Sequence, residues 1–306
     1  MKADCAEIDP AREAASLRFS GNTATIEMSP VVVALRQPNP VPVIMNWGGI
    51  WDITSGKADL ATNGETQLLR YSIADPDLRI LLTVAEDSYR VAARKSAGIH
   101  SIADLCGKRV TTPLDTTAHW CLLKLLRTAN LRETDVVLVA IEPWQKQIEA
   151  LAKGDVDAMV MWEPDPEVAR EIIGDDIIFI NGGKAGYREL FNLHASAKAL
   201  VDPVKRTEIV KFVASIINAS ERLTLNPRES FPLISESSGI AENHIAAAWS
   251  DFSFPGKITG NLLDVLEEQE IWVADRQGRI PRSRSDLAGL IDENVYKDAL
   301  SEARIG

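Results

Sequence analysis

The sequence predicts an α/β fold with mainly parallel sheets, arranged as two units of similar build. Three observations carry that reading. Short β-branched or apolar runs alternate with helical patterns up to about residue 195, and helical patterns then follow one another to the end. The 306 residues, 45% hydrophobic with a mean hydropathy of −0.06, hold enough apolar mass for two cores, since domains run to about 100–200 residues. A short pattern also occurs twice, as Ser55-Gly56-Lys57-Ala58-Asp59-Leu60-Ala61 and as Lys153-Gly154-Asp155-Val156-Asp157-Ala158-Met159. Each reads as a helix end, a Gly suited to the left-handed residue beyond it, an Asp able to bond nearby N–H groups, and a buried strand.

Residues 1–16 read as a polar lead-in. Residues 17–20 alternate like a strand and stop at Gly21-Asn22-Thr23. A helix is expected over 25–37, starting late or bending at Pro30, whose ring does not fit a helix interior. Pro38, Pro40 and Pro42 stiffen the connection to a strand at 43–46, which Trp47-Gly48-Gly49 closes. A helix at 66–73 follows the turn Thr62-Asn63-Gly64-Glu65. Residues 78–85 are almost wholly apolar, the pattern of a strand covered on both faces, and 89–94 form another strand. Further strands are expected at 136–141, 156–161, 177–180 and 190–195, with helices at 144–153 and 168–173. From Pro203 onward the helices fall at 204–226, 228–237, 242–250, 261–275, 285–290 and 293–302.

The stretch around which these elements are organised is GKRVTTPLDTTAHWCLLKLL, residues 107–126. A β-branched run at 109–112 is stopped by Pro113, and Asp115, Thr116 and Thr117 are residue types that cap the helix that follows. A strand handing over to a helix leaves unpaired N–H groups in the gap, with the helix dipole behind them and threonine hydroxyls beside them. The same spacing also describes an ordinary capped helix in an α/β unit.

Composition excludes several classes. The 33 basic and 44 acidic residues give a net charge of −11, which opposes non-specific nucleic-acid binding and docking on an anionic membrane. Cys5, Cys106 and Cys121 build no disulfide framework and are expected unpaired. His100, His119, His194 and His244 show no metal-ligand spacing, and no phosphate-binding glycine loop occurs, so no metal or cofactor is expected. No window reaches the 18 or so apolar residues of a membrane span. The first 15 residues carry acids where an export signal is apolar, so the chain is either cytoplasmic or extracytoplasmic with its signal removed.

Four segments in order, SGKADLATNGE (55–65), SIADLCGKRVTTP with DTTAHWCLLKLL (101–126), ALAKGDVDAMVMWEP (150–164), and VADRQGRIP with IDENVYKDAL (273–300), resemble the type II periplasmic-binding-protein superfamily. The nearest group is the ABC-importer solute-binding proteins for sulfonates, nitrate, taurine and thiamin-precursor pyrimidines. The resemblance implies two lobes joined by a two-strand hinge, lobe one being 17–95 plus 195–306 and lobe two 96–194, with crossings near 90–95 and 190–195. It implies a periplasmic or membrane-tethered protein, monomeric, closing on a small polar organic ligand and delivering it to a membrane permease. The ligand would be sulfonate-, carboxylate- or pyrimidine-like. An enzyme on the same fold (a desulfinase, a decarboxylase or a thiamin-pyrimidine synthase) and a cytosolic ligand sensor are the alternatives.

Mapped onto the turns that follow strands, the resemblance places ligand contacts at Asn22 and Thr23, at Trp47, Gly48 and Gly49, and at Asn63, Gly64 and Glu65. In the second unit it places them at Asp115, Thr116, Thr117 and His119, then at Trp162 and Glu163, with Asn181 and Gly182 beyond. Tryptophans beside these turns suit a ring or an apolar tail, whereas Trp120 begins an apolar helix and reads as core. Glu163 directly follows a buried strand and needs a partner: either a ligand amine or amidine, or a hinge arginine. His119 and Cys121 are two apart on a helix and face different ways, so they form no thiolate–imidazole pair.

Overall fold

The computed structural model describes residues 16–38, 40–181 and 187–303. Eleven strands are described: β1 (Leu17–Gly21), β2 (Val43–Trp47), β3 (Leu60–Gly64), β4 (Leu78–Asp87), β5 (Arg90–Arg94), β6 (Arg109–Thr111), β7 (Val137–Leu138), β8 (Ala158–Met161), β9 (Ile177–Asn181), β10 (Glu189–Ser196) and β11 (Phe252–Ser253). The helices that matter for the site are α1 (Ser29–Ala34), α2 (Ile50–Thr54), α3 (Glu65–Tyr71), α4 (Thr117–Thr128), α5 (Gln147–Lys153) and α6 (Asp165–Ile173). Beyond β10 the chain is mostly helical: α7 (Ala197–Val201), α8 (Pro203–Leu225), α9 (Phe231–Ser238), α10 (Glu242–Ala248), α11 (Leu262–Arg276), α12 (Arg284–Ala288) and α13 (Glu293–Ala303).

The strands form two sheets, one ordered β11-β4-β10-β3-β1-β2 and the other β7-β6-β8-β5-β9. In each, three parallel strands are built alike: β1 lies between β2 and β3, and β6 lies between β7 and β8. The strands on either side of the crossings, β4 with β10 and β5 with β9, pair antiparallel. The chain leaves the first sheet at Asp87 and joins the second at Arg90, so it changes sheet at Ser88-Tyr89. It returns between Asn181 and Glu189. Both changes come earlier than the sequence suggests, because 90–94 pairs with β8 and β9, and β10 begins at Glu189, ahead of its apolar run.

The repeated heptad is the visible trace of this doubled build. Gly56 and Gly154 both take left-handed backbone, with φ of +74° and +79°. Asp59 accepts the Arg18 backbone N–H at 3.0 Å and the Arg18 guanidinium at 2.8 Å. Asp157 does the same for Arg109, at 2.9 and 2.6 Å. Each arginine, at the start of the central strand of its triplet, also donates to the helix-end glycine carbonyl, Arg18 to Gly56 and Arg109 to Gly154, both at 2.8 Å. The carboxylates are thereby held below their ordinary range; for Asp59 burial opposes this and Arg18 with Lys205 overcomes it. The sequence shows the glycine and the aspartate of each clasp and hides the arginine.

Pro30 acts as expected: a 3-10 turn at Ile26–Met28 precedes α1, and the proline sits in the helix's first turn, where no N–H is required. The strand expected at 136–141 contracts to two residues, and the two-residue edge strand β11 has no periodicity to announce it. The first sheet packs on α1, α8 and α13 around Phe19 and Phe212, whose rings meet edge-on at 5.9 Å. Helix α11 touches both sheets' helices. It packs on α3, and its Trp272 lies 5.3 Å from the Trp120 ring of α4. Next to it, Glu270 is buried, yet bonds from Arg279 and Arg282 draw its carboxyl down to about 2.

Candidate binding cleft

A cavity of about 260 Å³ opens where the strand-to-helix turns of both sheets meet. From the first sheet it is lined by Asn22, Thr25 and Glu27 after β1, by Trp47, Gly48 and Trp51 after β2, and by Asn63, Gly64 and Gln67 after β3. From the second it is lined by Pro113, Leu114, Thr116 and Thr117 after β6 and by Trp162 after β8. Glu142 and Trp144 close one side, and Tyr89, Glu189 and Phe191, beside the two crossings, form the floor. A second basin of about 510 Å³ shares Asn22, Trp47, Trp144 and Trp162 and continues the cleft outward to His244. Open α/β sheets leave such crevices at the carboxyl ends of their strands, where helix N-termini supply free N–H groups.

Local chemistry fixes the walls. Asn22 Oδ1 accepts from the indole N–H of Trp47 at 3.2 Å and from the Ala24 N–H at 3.0 Å, so the two turns brace each other while Trp47 stays 67% exposed. Asn63 Oδ1 accepts the Ile50 N–H at 2.6 Å and serves as cap of α2, leaving its amide N–H groups uncommitted among the described residues. A side chain at Gly48 would collide with Asp52 and Ser20, which are hydrogen-bonded at 2.5 Å. Trp162 and Trp144 meet edge-to-face at 5.1 Å and form one aromatic corner.

Of the residues placed at the ligand from sequence, Asn22, Trp47, Gly48, Asn63, Gly64, Thr116, Thr117 and Trp162 line the cavity. Their threonine hydroxyls are already engaged: Thr116 donates to the Pro113 carbonyl at 2.6 Å, and Thr117 is hydrogen-bonded to Glu189. Thr23 lies in the first turn outside the lining, and Gly49 is buried behind it against Asn63. Gly182 and the Asn181 side chain, like Cys5 and the lead-in up to residue 15, lie outside the described residues.

Three expectations are corrected, and the choice left open for Glu163 is decided. Glu65 is buried and accepts from Tyr187 Oη at 2.7 Å, Gln269 Nε2 at 2.6 Å and the Leu190 N–H at 3.1 Å, tying α3 to β10 and α11. Asp115 turns away into a clasp with Arg276 at 2.8 Å, its backbone left-handed at φ 57°. His119 is fully buried; Nδ1 accepts the Asp115 N–H at 3.1 Å, Nε2 lies 3.3 Å from Glu133, and burial pushes its pKa down. Glu163 takes the hinge-arginine alternative. Its Oε1 accepts from Arg90 Nε at 2.8 Å, and the same guanidinium holds Glu167 at 2.6 Å. Burial pushes the Glu163 carboxyl up to about 7 against the pull of Arg90.

Sequence reading misses the floor. Glu27 is 3% exposed and its Oε2 has no hydrogen-bond partner; burial, then the nearby Glu189 charge, pushes it up to about 8. Glu189 accepts from the Tyr89 hydroxyl and is raised by burial. Asp87 stands behind both and shares a side-chain hydrogen bond with Glu189. In the sequence these are isolated acids: Glu27 stands between Ile26 and Met28, and Glu189 sits between Arg188 and Leu190, with nothing local to bring them together.

A family profile described as NMT1/THI5 like matches residues 49–230, more than half of the chain. The chain is 22% identical over 248 residues to the taurine-binding periplasmic protein of Escherichia coli (strain K12), covering 79% of this chain and 72% of that protein. It superposes on the alkanesulfonate-binding protein SsuA from Xanthomonas axonopodis pv. citri bound to MOPS with a TM-score of 0.71 at 17% identity, over 94% of this chain and 99% of that one. The desulfurization enzyme DSZB shares the fold, with a TM-score of 0.65 at 15% identity over 94% and 99% of the two chains. Two sheets of matching build around one cleft, together with this profile, place the chain in the NMT1/THI5-like family, on the periplasmic-binding-protein fold.

Proposed function

We propose that this protein is the extracytoplasmic solute-binding component of an ABC importer, closing its two sheets as two lobes on one small polar organic molecule and handing it to a membrane permease. The observation that carries the reading is a cavity bounded by the strand-to-helix turns of both sheets. The taurine- and sulfonate-binding relatives support it. Closure would swing the sheets about Ser88-Tyr89 and the return to Glu189. A ligand seated on one wall gains the contacts of the other only in the closed state and so selects it. Trp47, Trp51, Trp144 and Trp162 would pack on the body of the solute, and the Asn63 amide and the first N–H groups of α4 would hold its polar atoms.

An enzyme of the DSZB type is the competing reading on this fold. Of the described cysteines, Cys121 is buried with its thiol pushed up by burial, and Cys106 is exposed away from the cavity. Four cavity tryptophans make the test simple. Titration with a panel of sulfonates, carboxylates and pyrimidines is expected to change tryptophan emission saturably for at least one compound, which is then recovered unchanged. Trp162→Ala is expected to weaken that binding by about tenfold or more, the cost of losing a central aromatic contact. Conversion of the compound would favour the enzyme, and an emission that no compound moves would remove the reading.

A further inference from the structure

The floor of the cleft carries charge of one sign. Oxygens of Glu27, Asp87 and Glu189 all lie within 4.8 Å of one another, and all three residues are buried. Three carboxylates so placed cannot all stay ionised without protons or a cation between them. The Tyr89 and Thr117 hydroxyls serve Glu189, and Asp87 shares a side-chain hydrogen bond with it, but Glu27 Oε2 has no hydrogen-bond partner. Arg188, the arginine whose charge reaches Asp87, has its guanidinium on Ser88 Oγ at 2.8 Å and the Glu86 carbonyl at 2.9 Å. Among the described residues that line the cavity there is no lysine, arginine or histidine, while Glu142 adds a further acid at its side.

We infer that the solute carries a protonated amine, and that this ammonium seats on Glu27 and Glu189 with Asp87 behind them. Resting on the solute-binding reading, this assigns the cargo class: an organic cation or zwitterion, not a plain anion. Glu27 and Glu189 face the cavity, so the ammonium reaches them from the space that holds the rest of the solute. Its N–H donors match the unpartnered Glu27 Oε2. A hard divalent ion fits less well, because it asks for about six to eight oxygens, and those of Glu189 already accept from two hydroxyls. Organic solutes also explain the tryptophan walls, which a bare ion would not use.

The test is calorimetric titration with matched pairs of small compounds, amine against alcohol, on sulfonate, carboxylate and uncharged skeletons. One such pair is 2-aminoethanesulfonate and 2-hydroxyethanesulfonate. The amine member of at least one pair is expected to bind at least tenfold tighter than its alcohol partner. Glu27→Gln, which keeps the shape and removes the charge, is expected to lose that preference by tenfold or more. Equal binding of amine and alcohol, or binding of calcium, manganese or zinc chloride with no amine bound, would overturn the inference and leave a solute-binding cleft standing. Binding by no member of any pair would overturn the inference together with the reading beneath it. The paired compounds test the wild-type protein, so the result does not depend on the variant's folding.

Discussion

Replacing Arg90 by Met is expected to lower the stability of the folded state by about 3–5 kcal/mol, the cost of leaving buried charge without its partner. Arg90 is buried beside the first crossing and holds Glu163 and Glu167, with Asp251 at 3.6 Å. Its guanidinium also lies over the Phe179 ring, 4.2 Å from the centroid. With the cation gone, Glu163 loses the charge that favours its ionised form. The Glu163 carboxyl, already at about 7 through burial, would rise further. A folded-state pKa raised above the unfolded value gives stability that is present at low pH and lost as pH climbs through the folded value. The deficit of Arg90→Met is therefore expected to be smaller at pH 5 than at pH 8. Urea unfolding at the two pH values measures it. A midpoint unchanged at pH 8 would show that Arg90 does not hold the crossing.

Gly64→Ala is expected to cost about 1–3 kcal/mol by overpacking and to abolish high-affinity solute binding. The backbone at Gly64, φ −64° and ψ 161°, suits any residue, so strain is not the cause. The cause is space: a Cβ there would overlap Glu189 Oε1 and Thr117 Oγ1, the contact through which β10 meets the start of α4. Either Glu189 leaves the floor or the second sheet's turn is pushed outward, and in both cases the cavity loses its base. Thermal unfolding and solute titration of the one variant report the two effects. Unaltered affinity would place the binding site away from the floor.

Much of the fold could be read from the chain because its signals are local. The almost wholly apolar run at 78–85 became β4, and the capped stretch after Pro113 became α4. The two Gly–Asp patterns mark the doubled build, and Pro30 marks the start of α1. Parts of the site followed in the same way, since turns after strands are where such clefts form: Asn22, Trp47, Gly48, Asn63, Thr116, Thr117 and Trp162 all line it. What failed needed distance information. Asp115 and Glu65 stand in the right turns, yet they are taken by Arg276 and by Tyr187 with Gln269, partners more than a hundred positions away. The pairing of Glu163 with Arg90 spans 73 positions, and only the folded chain chooses between it and a ligand. The floor was invisible for the same reason, because Glu27, Asp87 and Glu189 are isolated acids until the sheet brings them together.

The most direct measurement is native mass spectrometry of the freshly purified protein and of the protein equilibrated with an extracted pool of small metabolites. One small organic molecule is expected to be retained per chain, and to be missing from Gly64→Ala and diminished in Trp162→Ala. A spectrum showing the bare polypeptide mass alone, before and after exposure to the pool, would contradict a cleft built to carry a solute.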